Sequence, residues 1–485
     1  MSLSRRFLFA CILALIAVTP SWAGVDDDTS GSLISLTQIS VDTSKNPGTD
    51  PTIQVQHKTE VDPSQATFGN MIVTTFQDGE IANWNGASQV GWSTSFDGGQ
   101  TWRHGYIPGT TSYYWVQVVS FDSKHNTWLI IMVAQDMNSK DSNYLNPTEM
   151  QVSRSFDGIH WSTPTPVYGP ISYPGWVNRP WVGCDNHVFS PHFGNCYIAW
   201  DDINFVTGVG TNDVSVSSDG GLTWSAPTVS PDQCAGSIGG VAIQANGNLF
   251  LIGAYDGGMG CTGLYLYSIE STDGGKTLQQ TVDITAEQLA YPTEGGAMRQ
   301  DPFPSASVSI DGTISVVTYD CRFRSSCATN DIVMTTSKDG VNWSSIERVP
   351  IDPLDSGTDH FVAGIGAPAL LDIILGASPA ALAVNYYYVP DAATCNPASA
   401  AGCQLYAGFI SSQDGGKTWS NPTEVFGPMN IVKDLAATAF GYFVANDITA
   451  IYVFGRPQAV FSLAGRPDPE TGALNQAIYS ARFTH

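Results

Sequence analysis

The sequence is poor in basic residues, with 20 lysines and arginines against 44 aspartates and glutamates and a formal net charge of -24 over 485 residues. Without a basic tract, the chain lacks the electrostatic footprint of sequence-independent binding to nucleic-acid phosphates. The same deficit argues against binding to an anionic membrane surface. Hydrophobic residues make up 42% and charged residues 13% of the chain, a balance that is typical of a folded protein with a large core.

Long apolar runs are absent beyond the N-terminus, so the sequence predicts no membrane span. At the N-terminus, Arg5 and Arg6 precede the apolar run Phe7–Val18, and small residues lead to a cleavage site after Ala23. This pattern is typical of a signal peptide. We therefore expect a signal peptide over residues 1–23, a secreted or periplasmic protein, and a single domain over residues 24–485 that is a monomer.

Cys-x-x-Cys pairs are also absent and the eight histidines do not cluster, so the sequence predicts no metal–thiolate site. Cys11 belongs to the signal peptide, and the other eight cysteines fall into four close sequential pairs. Such spacings suit local disulfides formed in an oxidising compartment. The predicted bridges are Cys184–Cys196, Cys234–Cys261, Cys321–Cys327 and Cys395–Cys403.

A short motif occurs six times along the chain. Its first copy reads Ser95-Phe-Asp97-Gly-Gly-Gln-Thr-Trp102, and successive motif aspartates lie 54 to 75 residues apart. That period is typical of radial or solenoid repeats. Aspartate and serine side chains bond nearby amides in tight turns and glycine supplies positive φ, so each copy is predicted to be a hairpin turn whose tryptophan packs against the next unit. The other copies are Ser155–Trp161, Ser217–Trp224, Ser271–Leu278, Ser337–Trp343 and Ser412–Trp419.

Strand-forming runs such as Gln89–Thr94 and Asp331–Thr336 surround the motifs, whereas long amphipathic helical patterns are nearly absent. About four strands fit each period, so the sequence predicts an all-β fold, a β-propeller of four-stranded blades. If the motif joins the third and fourth strands, the aspartates that close the second strands lie at the opposite end. These aspartates are Asp78, Asp136, Asp201, Asp256 and Asp320.

The number of blades depends on the chain beyond the sixth motif. Strand-like segments remain at Thr438–Asn446, Ala450–Gly455 and Gln476–Phe483, without another motif. The early segment Ser32–Val41 would supply a fourth strand and close the ring. We predict seven blades, and six blades with appended strands are the alternative.

The six motifs, within residues 95–419, resemble the Asp-box, or bacterial neuraminidase repeat, of the sialidase superfamily. The segments Arg179–Asp201 and Phe303–Arg322 resemble secreted bacterial proteins that are named sialidase-like. This resemblance implies a propeller that acts on extracellular glycans as an exo-sialidase-type glycoside hydrolase. Because the repeat also occurs in sorting receptors and non-catalytic propellers, the alternative is a propeller that binds extracellular glycan or protein without catalysis.

Exo-sialidases of this superfamily hold a sugar carboxylate with three arginines and use a tyrosine nucleophile with a glutamate, and an aspartate as acid/base. Guanidinium groups match a carboxylate geometrically, and a neutral phenol attacks an oxocarbenium-like centre with little repulsion. The Phe/Tyr-Arg-Ile-Pro motif expected in the first blade is missing from Val55–Pro63, and Glu60 and Tyr386–Tyr388 are alternative sources of the base and the phenol. The resemblance implies the catalytic set Arg179, Arg299, Arg322, Tyr319, Asp320 and Glu294.

For substrate binding we single out Arg324, which shares with Arg322 the short loop between Cys321 and Cys327, together with Asp201, Asp256 and Trp176. Trp176 suits stacking on a sugar ring, and it equally suits packing between blades. The strand-end aspartates are hard oxygen ligands suited to calcium, but no calcium-loop motif is present. We therefore predict no cofactor and no metal site, with calcium as the open alternative and turn capping as the structural role of these aspartates.

Overall fold

The computed structural model describes residues 31–43, 54–82, 86–110, 113–135, 148–256, 261–291, 298–299, 301–395 and 403–484. Within these ranges the protein is mostly β-strand, as predicted. Helix is limited there to α1 (Leu370–Ile374), α2 (Ile431–Asp434) and the 3-10 turns Ser325–Cys327 and Ala392–Thr394. These helices are too short to cross a lipid bilayer.

The strands follow one another mostly in sets of four. The chain begins with β1 (Leu33–Gln38), and its next two sets are β2 (Gln54–Phe68), β3 (Met71–Ala82), β4 (Ala87–Ser95) and β5 (Arg103–Tyr106), then β6 (Tyr113–Asp122), β7 (Thr127–Gln135), β8 (Thr148–Ser155) and β9 (Thr165–Tyr168). Two further sets are β10 (Gly175–Cys184), β11 (Cys196–Asn204), β12 (Val209–Ser217) and β13 (Thr228–Val229), then β14 (Ser237–Ile243), β15 (Leu249–Asp256), β16 (Leu264–Ser271) and β17 (Val282–Ala286). They are followed by β18 (Ser305–Val308), β19 (Ile314–Asp320), β20 (Asp331–Ser337) and β21 (Glu347–Arg348), then by β22 (Asp359–Gly366), β23 (Leu382–Val389), β24 (Gln404–Ser412) and β25 (Thr423–Asn430). The last strands are β26 (Ala436–Thr438), β27 (Gly441–Phe443), β28 (Ala450–Val453), β29 (Arg456–Ala464) and β30 (Gln476–Phe483).

Hydrogen bonding confirms four-stranded antiparallel sheets. The sets β10–β13, β14–β17, β18–β21 and β22–β25 are separate sheets. The sets β2–β5 and β6–β9, and the set of β28, β29, β30 and β1, are joined into one twelve-stranded sheet by single pairs, Thr59 with Gln476 and Ala87 with Tyr114. We call these seven sets sheet groups 1 to 7, starting from β2–β5.

Group 7 joins the two ends of the described chain. β1 pairs with β30, as predicted for Ser32–Val41, and β28 and β30 lie within two predicted strands. Thr438–Asn446 instead overlaps the separate hairpin β26–β27, and the sequence analysis missed β29. Because β29 begins with Arg456-Pro457 directly after Gly455, its start has the composition of a turn.

The hydrophobic core lies between neighbouring groups. Interior strands such as β7 are buried along their whole length, whereas fourth strands such as β9 and β13 are short and more exposed. Side chains of groups 1 and 2 meet in one cluster that includes Trp92, Trp128 and Trp161. Trp161 belongs to the second motif, so the motif tryptophan packs between groups as predicted, but against the preceding group rather than the next one. The short, exposed fourth strands limit the edge available for further strand pairing.

First strands of successive groups contact one another. β2 contacts β6, β6 contacts β10, β10 contacts β14 and β14 contacts β18. The series continues from β18 to β22, from β22 to β28 and from β28 back to β2.

Each motif connects the third and fourth strands of its group, as predicted. In the first copy the Asp97 carboxylate accepts hydrogen bonds from Gln100 N (3.0 Å), Thr101 N (2.8 Å) and the Thr101 hydroxyl (2.6 Å). The Ser95 hydroxyl donates to Asp97 and accepts from Gly99 N. We call this end of each sheet the turn end. The four predicted disulfides are also confirmed.

Candidate functional site

The first strands carry bulges near the end opposite the turns. The strand register shifts between Val61 and Ser64 in β2 and between Asn178 and Trp181 in β10. Within these bulges Asp62 and Arg179 have positive φ angles of 56° and 51°. Non-glycine residues rarely adopt this conformation, and a bulge redirects the side chain that it carries. These bulges therefore determine where the side chains of Asp62 and Arg179 point.

Arg179, a predicted catalytic residue, lies at the centre of the site. Its Nη2 atom contacts Asp447 Oδ2 at 2.5 Å, and its guanidinium carbon lies 3.7 Å from the centroid of the Phe303 ring. The Arg179 side chain is 2% exposed and that of Asp447 is 13% exposed. The Nε and Nη1 atoms of Arg179 have no hydrogen-bond partner among the described residues. Arg179 is thus buried with one carboxylate partner and two nitrogen atoms that no described residue bonds.

Asp62 positions Asp447 through hydrogen bonds to the backbone. Its Oδ1 atom accepts hydrogen bonds from the backbone amides of Asn446 (2.7 Å) and Asp447 (3.3 Å), and its Oδ2 atom accepts one from Gln77 Nε2 (2.9 Å). Burial raises the pKa of Asp447 to about 6; the charges of Asp62 and Asp301 add to this rise, and Arg179 opposes it. The pKa of Asp447 therefore lies above the ordinary range of an aspartate.

Asp201, predicted to bind substrate, lies within electrostatic range of Arg179. Asp201 is opposite Asn178 in the β10–β11 ladder, and Asn178 Nδ2 donates to Asp201 Oδ2 at 3.3 Å. Burial raises the pKa of Asp201 to about 8, although the charge of Arg179 opposes the rise. The pKa of Asp201 therefore lies above that of Asp447. Two carboxyl groups with separated pKa values are the arrangement expected of an acid and a base.

Arg299 lies in the same acidic region. Its Nε atom contacts Asp301 Oδ2 at 2.6 Å, and its guanidinium carbon lies 5.1 Å from the centroid of Phe443. Burial raises the pKa of Glu80 well above its usual value, and the charge of Arg299 opposes that rise. Asp301, the partner of Arg299, acts electrostatically on Asp447, the partner of Arg179. The two arginines are therefore linked through these two aspartates.

Arg322 and Asp320 form a separate pair. The Arg322 guanidinium contacts both Asp320 oxygens, at 2.9 and 2.7 Å, and also bonds Thr285 and the carbonyl of Ala286. These contacts lie between groups 4 and 5 and involve none of the partners of Arg179. The predicted three-arginine set is therefore divided between the Arg179 region and this pair.

Arg324 is part of a buried ionic network. Its Nη2 atom contacts Asp331 at 2.5 Å and Asp352 at 2.6 Å, and Arg348 contacts the same two carboxylates. The ligand atoms of Asp331, Asp352 and His360 are close enough to share a metal ion. Two guanidinium groups already balance these carboxylates, so the network does not fit a further cation. Burial lowers the pKa of His360 to about 4, which keeps its ring neutral.

Two aspartates at strand ends, Asp320 and Asp202, the neighbour of Asp201, are engaged in other contacts. Asp202 accepts hydrogen bonds from Tyr168 (2.8 Å) and Tyr173, and Asp320 accepts from Gln288 N (2.9 Å) in addition to Arg322. Asp136, Glu294 and the side chain of Asp256 lie outside the described residues.

Tyr319, the predicted nucleophile, is fully buried in the core. Burial raises its pKa well above the usual value, and the charges of Asp301 and Glu287 add to the rise. Trp176, a predicted binding residue, is half-buried, with its ring centroid 5.0 Å from that of Phe205. The roles assigned to these residues stay predictions.

Sequence reasoning missed Asp62, Asp301, Phe303 and Asp447. One signal was available, because Asp62, Arg179 and Phe303 each precede a proline, namely Pro63, Pro180 and Pro304. Proline cannot donate to a strand ladder and is confined within sheets to edges, strand starts and bulges. Three Xaa-Pro pairs within or just before first strands thus marked positions of the site, two of them the bulges at Asp62 and Arg179.

Comparisons with known proteins give structural likeness only. No family model and no curated protein matches the sequence. Among solved structures, the chain is similar to a Hadza microbial sialidase, with 13% identity, a TM-score of 0.46 and coverage of 82% of this chain and 74% of that one. It is also similar to the Trypanosoma rangeli sialidase, with 12% identity, a TM-score of 0.44 and coverage of 93% and 59%. An α-L-arabinofuranosidase from Fusarium graminearum gives 16% identity, a TM-score of 0.43 and coverage of 73% and 93%. At these levels of similarity, we infer no activity from the neighbours.

Proposed function

We propose that the protein is an exported, single-domain β-propeller of seven blades that hydrolyses glycosidic bonds in extracellular glycans. The cycle of first-strand contacts, which runs from β2 through β6, β10, β14, β18, β22 and β28 back to β2, supports the ring. Four disulfides are consistent with an extracellular protein. The N-terminal residue of the mature protein tests the proposed removal of residues 1–23.

One observation carries the hydrolase proposal: the Arg179 guanidinium contacts Asp447 and acts electrostatically on Asp201, and burial raises the pKa of these two carboxyl groups to different values. Glycoside hydrolysis usually needs one protonated carboxyl group to protonate the leaving oxygen and one carboxylate to act as base or nucleophile. In this proposal Asp201 is the acid and Asp447 is the carboxylate. Arg179 orients Asp447 and offers its remaining donors to the sugar.

If the enzyme is an exo-sialidase, Arg179 and Arg299 also bind the carboxylate of a sialic acid. The link between these arginines through Asp301 and Asp447 supports this assignment. The separate contacts of Arg322 and the burial of Tyr319 do not add support. Uncharged glycosides therefore belong beside the sialoside in any assay.

The test is turnover of a panel of 4-methylumbelliferyl glycosides, including the sialoside, with and without added calcium. We expect Asp447→Asn and Asp201→Asn to lower kcat/KM by about 10²–10⁴-fold on a substrate that the wild type hydrolyses. Asp414→Asn, at a turn end, is the matched control and should keep wild-type activity. Turnover that persists in both site variants would overturn the assignment. A wild type inactive on the whole panel would overturn the hydrolase proposal in favour of glycan or protein binding.

A further inference from the structure

Large apolar side chains are exposed mainly at the turn end of the sheet groups. Loops between first and second strands lie at this end together with the motifs, because consecutive strands of a group are antiparallel, as in group 3. Loops and motifs of six groups expose such side chains there. One from each of these groups is Phe68, Phe156, Phe189, Ile310, Ile374 and Phe454. An apolar surface shared by so many groups indicates a contact with something outside the molecule.

The largest apolar protrusion is α1, in the loop between β22 and β23. Its exposed side chains are Leu370, Leu371, Ile374 and the following Leu375, each between 45% and 70% exposed. The buried Asp372 carboxyl group accepts hydrogen bonds from Ala369 N (3.3 Å) and from Gly455 N of the β28–β29 turn (3.2 Å). Asp372 is the one charged residue between positions 361 and 390. The helix is therefore fixed on group 7 and offers an uncharged aliphatic surface.

A second apolar loop projects from group 3, between β10 and β11. Phe189 at its tip is 96% exposed, and its neighbour Val188 is also exposed. The disulfide Cys184–Cys196 closes the base of the loop. On the side of group 2, Lys124 Nζ donates a hydrogen bond to the carbonyl of Phe193 at 2.9 Å. The Phe189 ring is thus presented on a loop that is held at its base and along its side.

The charge of the turn end differs from that of the acidic site region. Most of the described lysines lie in its loops and motifs, namely Lys124, Lys276, Lys338 and Lys417. Motif aspartates such as Asp97 and Asp414, whose pKa values are lowered to about 2, add negative charges among them. Apolar side chains among charges of both signs match the interface of a zwitterionic lipid bilayer, whose headgroups also carry both signs. An anionic bilayer gains nothing from this mixture and is repelled by the acidic protein as a whole.

The chain enters the described structure at the turn end. A Cβ atom on Gly31 would lie 2.8 Å from Ser420 Oγ, directly after the sixth motif, and Thr423 Oγ1 donates to the carbonyl of Gly31 at 2.9 Å. The loop that follows α1 contacts the same motif, because Ser378 Oγ donates to the carbonyl of Gln413 at 2.7 Å. The apolar run of the predicted signal peptide precedes Gly31 in the sequence. It is therefore joined to the end of the molecule that carries α1.

We propose that the turn end docks on a bilayer of zwitterionic lipid, into which α1 and the Phe189 loop insert their apolar side chains. Groups 3 and 6 are three steps apart in the cycle of first-strand contacts, from β10 through β14 and β18 to β22, so the two loops are separate points of attachment. The docked protein presents the Arg179 region, which lies near the opposite end, away from the lipid. This docking surface goes beyond the proposed hydrolysis and does not depend on it.

Co-sedimentation with large unilamellar vesicles of phosphatidylcholine tests the docking. The protein is purified after export and its N-terminal residue is determined, so that all variants are compared with the same N-terminus. We expect the double variant Leu370→Ser/Ile374→Ser and the single variant Phe189→Ser each to lower the lipid partition coefficient about tenfold. Val206→Ser is the matched control, because Val206 is 72% exposed in the β11–β12 loop at the opposite end. It should bind the vesicles as the wild type does.

Three results would overturn the docking surface. The first is a wild type that does not bind the vesicles, or that binds them no better than both turn-end variants do. The second is stronger binding when phosphatidylglycerol replaces about one third of the phosphatidylcholine, since that would indicate an anionic partner. The third is a wild-type dimer, seen by sedimentation velocity without lipid, that Leu370→Ser/Ile374→Ser dissociates, since a second copy would then cover α1. Glycoside hydrolysis is measured on the same variants and should not change, so this test and that of the proposed function fail separately.

Discussion

The aspartates at the two ends of the sheets have opposite acid–base behaviour. At a turn end, hydrogen bonds from the Thr418 hydroxyl, backbone amides and Ser412 lower the pKa of Asp414 to about 2. Near the opposite end, burial raises the pKa of Asp201 to about 8 and that of Glu60 to about 9. A turn aspartate is stabilised as an anion by donors within a few residues of it. A site carboxyl group is shielded from water by residues that are distant in the sequence, and it therefore keeps its proton to higher pH.

The pH dependence of stability should show both behaviours, and it is the largest effect that we expect. Carboxyl groups with raised pKa hold extra protons when folded, so the free energy of unfolding falls as pH rises from about 4 to about 9. Turn aspartates have lowered pKa values and affect stability in the opposite direction. Their contribution to the free energy of unfolding is lost as pH falls from about 4 to about 2. Several site groups act together, and each pKa unit is worth about 1.4 kcal/mol, so the loss between pH 5 and pH 9 should reach several kcal/mol.

Chemical denaturation between pH 3 and pH 9 measures this profile. Asp201→Asn, which mimics the protonated acid, should flatten its alkaline limb. A free energy of unfolding that increases between pH 5 and pH 8 would contradict the raised pKa values.

Loss of the buried ion pair should be the next largest effect. Arg179→Ala leaves Asp447 and its neighbours without their cation, and breaking a buried pair typically costs about 3–5 kcal/mol. The more exposed Arg322→Ala is the comparison, since the Arg322 side chain is 22% exposed. Urea denaturation at pH 7 compares the two, and equal losses would show that burial does not set the strength of the Arg179 pair.

A single turn aspartate should matter less. Asp219 accepts hydrogen bonds from Leu222 N, Thr223 N, the Thr223 hydroxyl and the Ser217 hydroxyl. We expect Asp219→Ala to lower the free energy of unfolding by about 1–2 kcal/mol, the range for loss of a local cap. Thermal unfolding at pH 7 measures it. Because the turn lowers the pKa of Asp219, the effect of the same substitution should shrink progressively as pH falls below about 4.

The smallest effect should come from an exposed ion pair. Lys338 and Asp311 are in contact at 2.6 Å, but their side chains are 61% and 62% exposed. Exposed pairs contribute about 0–1 kcal/mol and are screened by salt. We expect Lys338→Ala to change stability by less than about 0.5 kcal/mol in denaturation at 0.15 M salt. A loss close to that of Arg179→Ala would remove the contrast between the two regions.

Local features of this fold were readable from the sequence. The six motifs predicted turns between third and fourth strands, and Asp97 and its equivalents form them with donors two to four residues away. The four disulfides followed from spacing, as in the pair Cys184 and Cys196, which are opposite each other in a hairpin. The pairing of Ser32–Val41 with Gln476–Phe483 was also predicted, although β29 was missed and Thr438–Asn446 was counted in its place.

The site was only partly readable. Arg179, Asp201 and Arg299 were predicted and lie in one region, whereas Arg322 and Arg324 bond other aspartates. Asp447 and Asp62 were missed, because the contact of Arg179 with Asp447 spans 268 residues and that of Asp62 with Asn446 spans 384. No local pattern encodes such pairs.

The sequence by itself determined the repeat, its hairpin turns, the disulfide pairs and the β-strand content, because each depends on residues close together in the chain. The tertiary structure alone decided which carboxyl groups lose contact with water and which arginine acts on them. Bulges at Asp62 and Arg179 direct those side chains, and packing of the first strands from distant groups buries Asp447 and Asp201. Desolvation depends on that packing, so the chemistry of the site emerges only when the groups assemble.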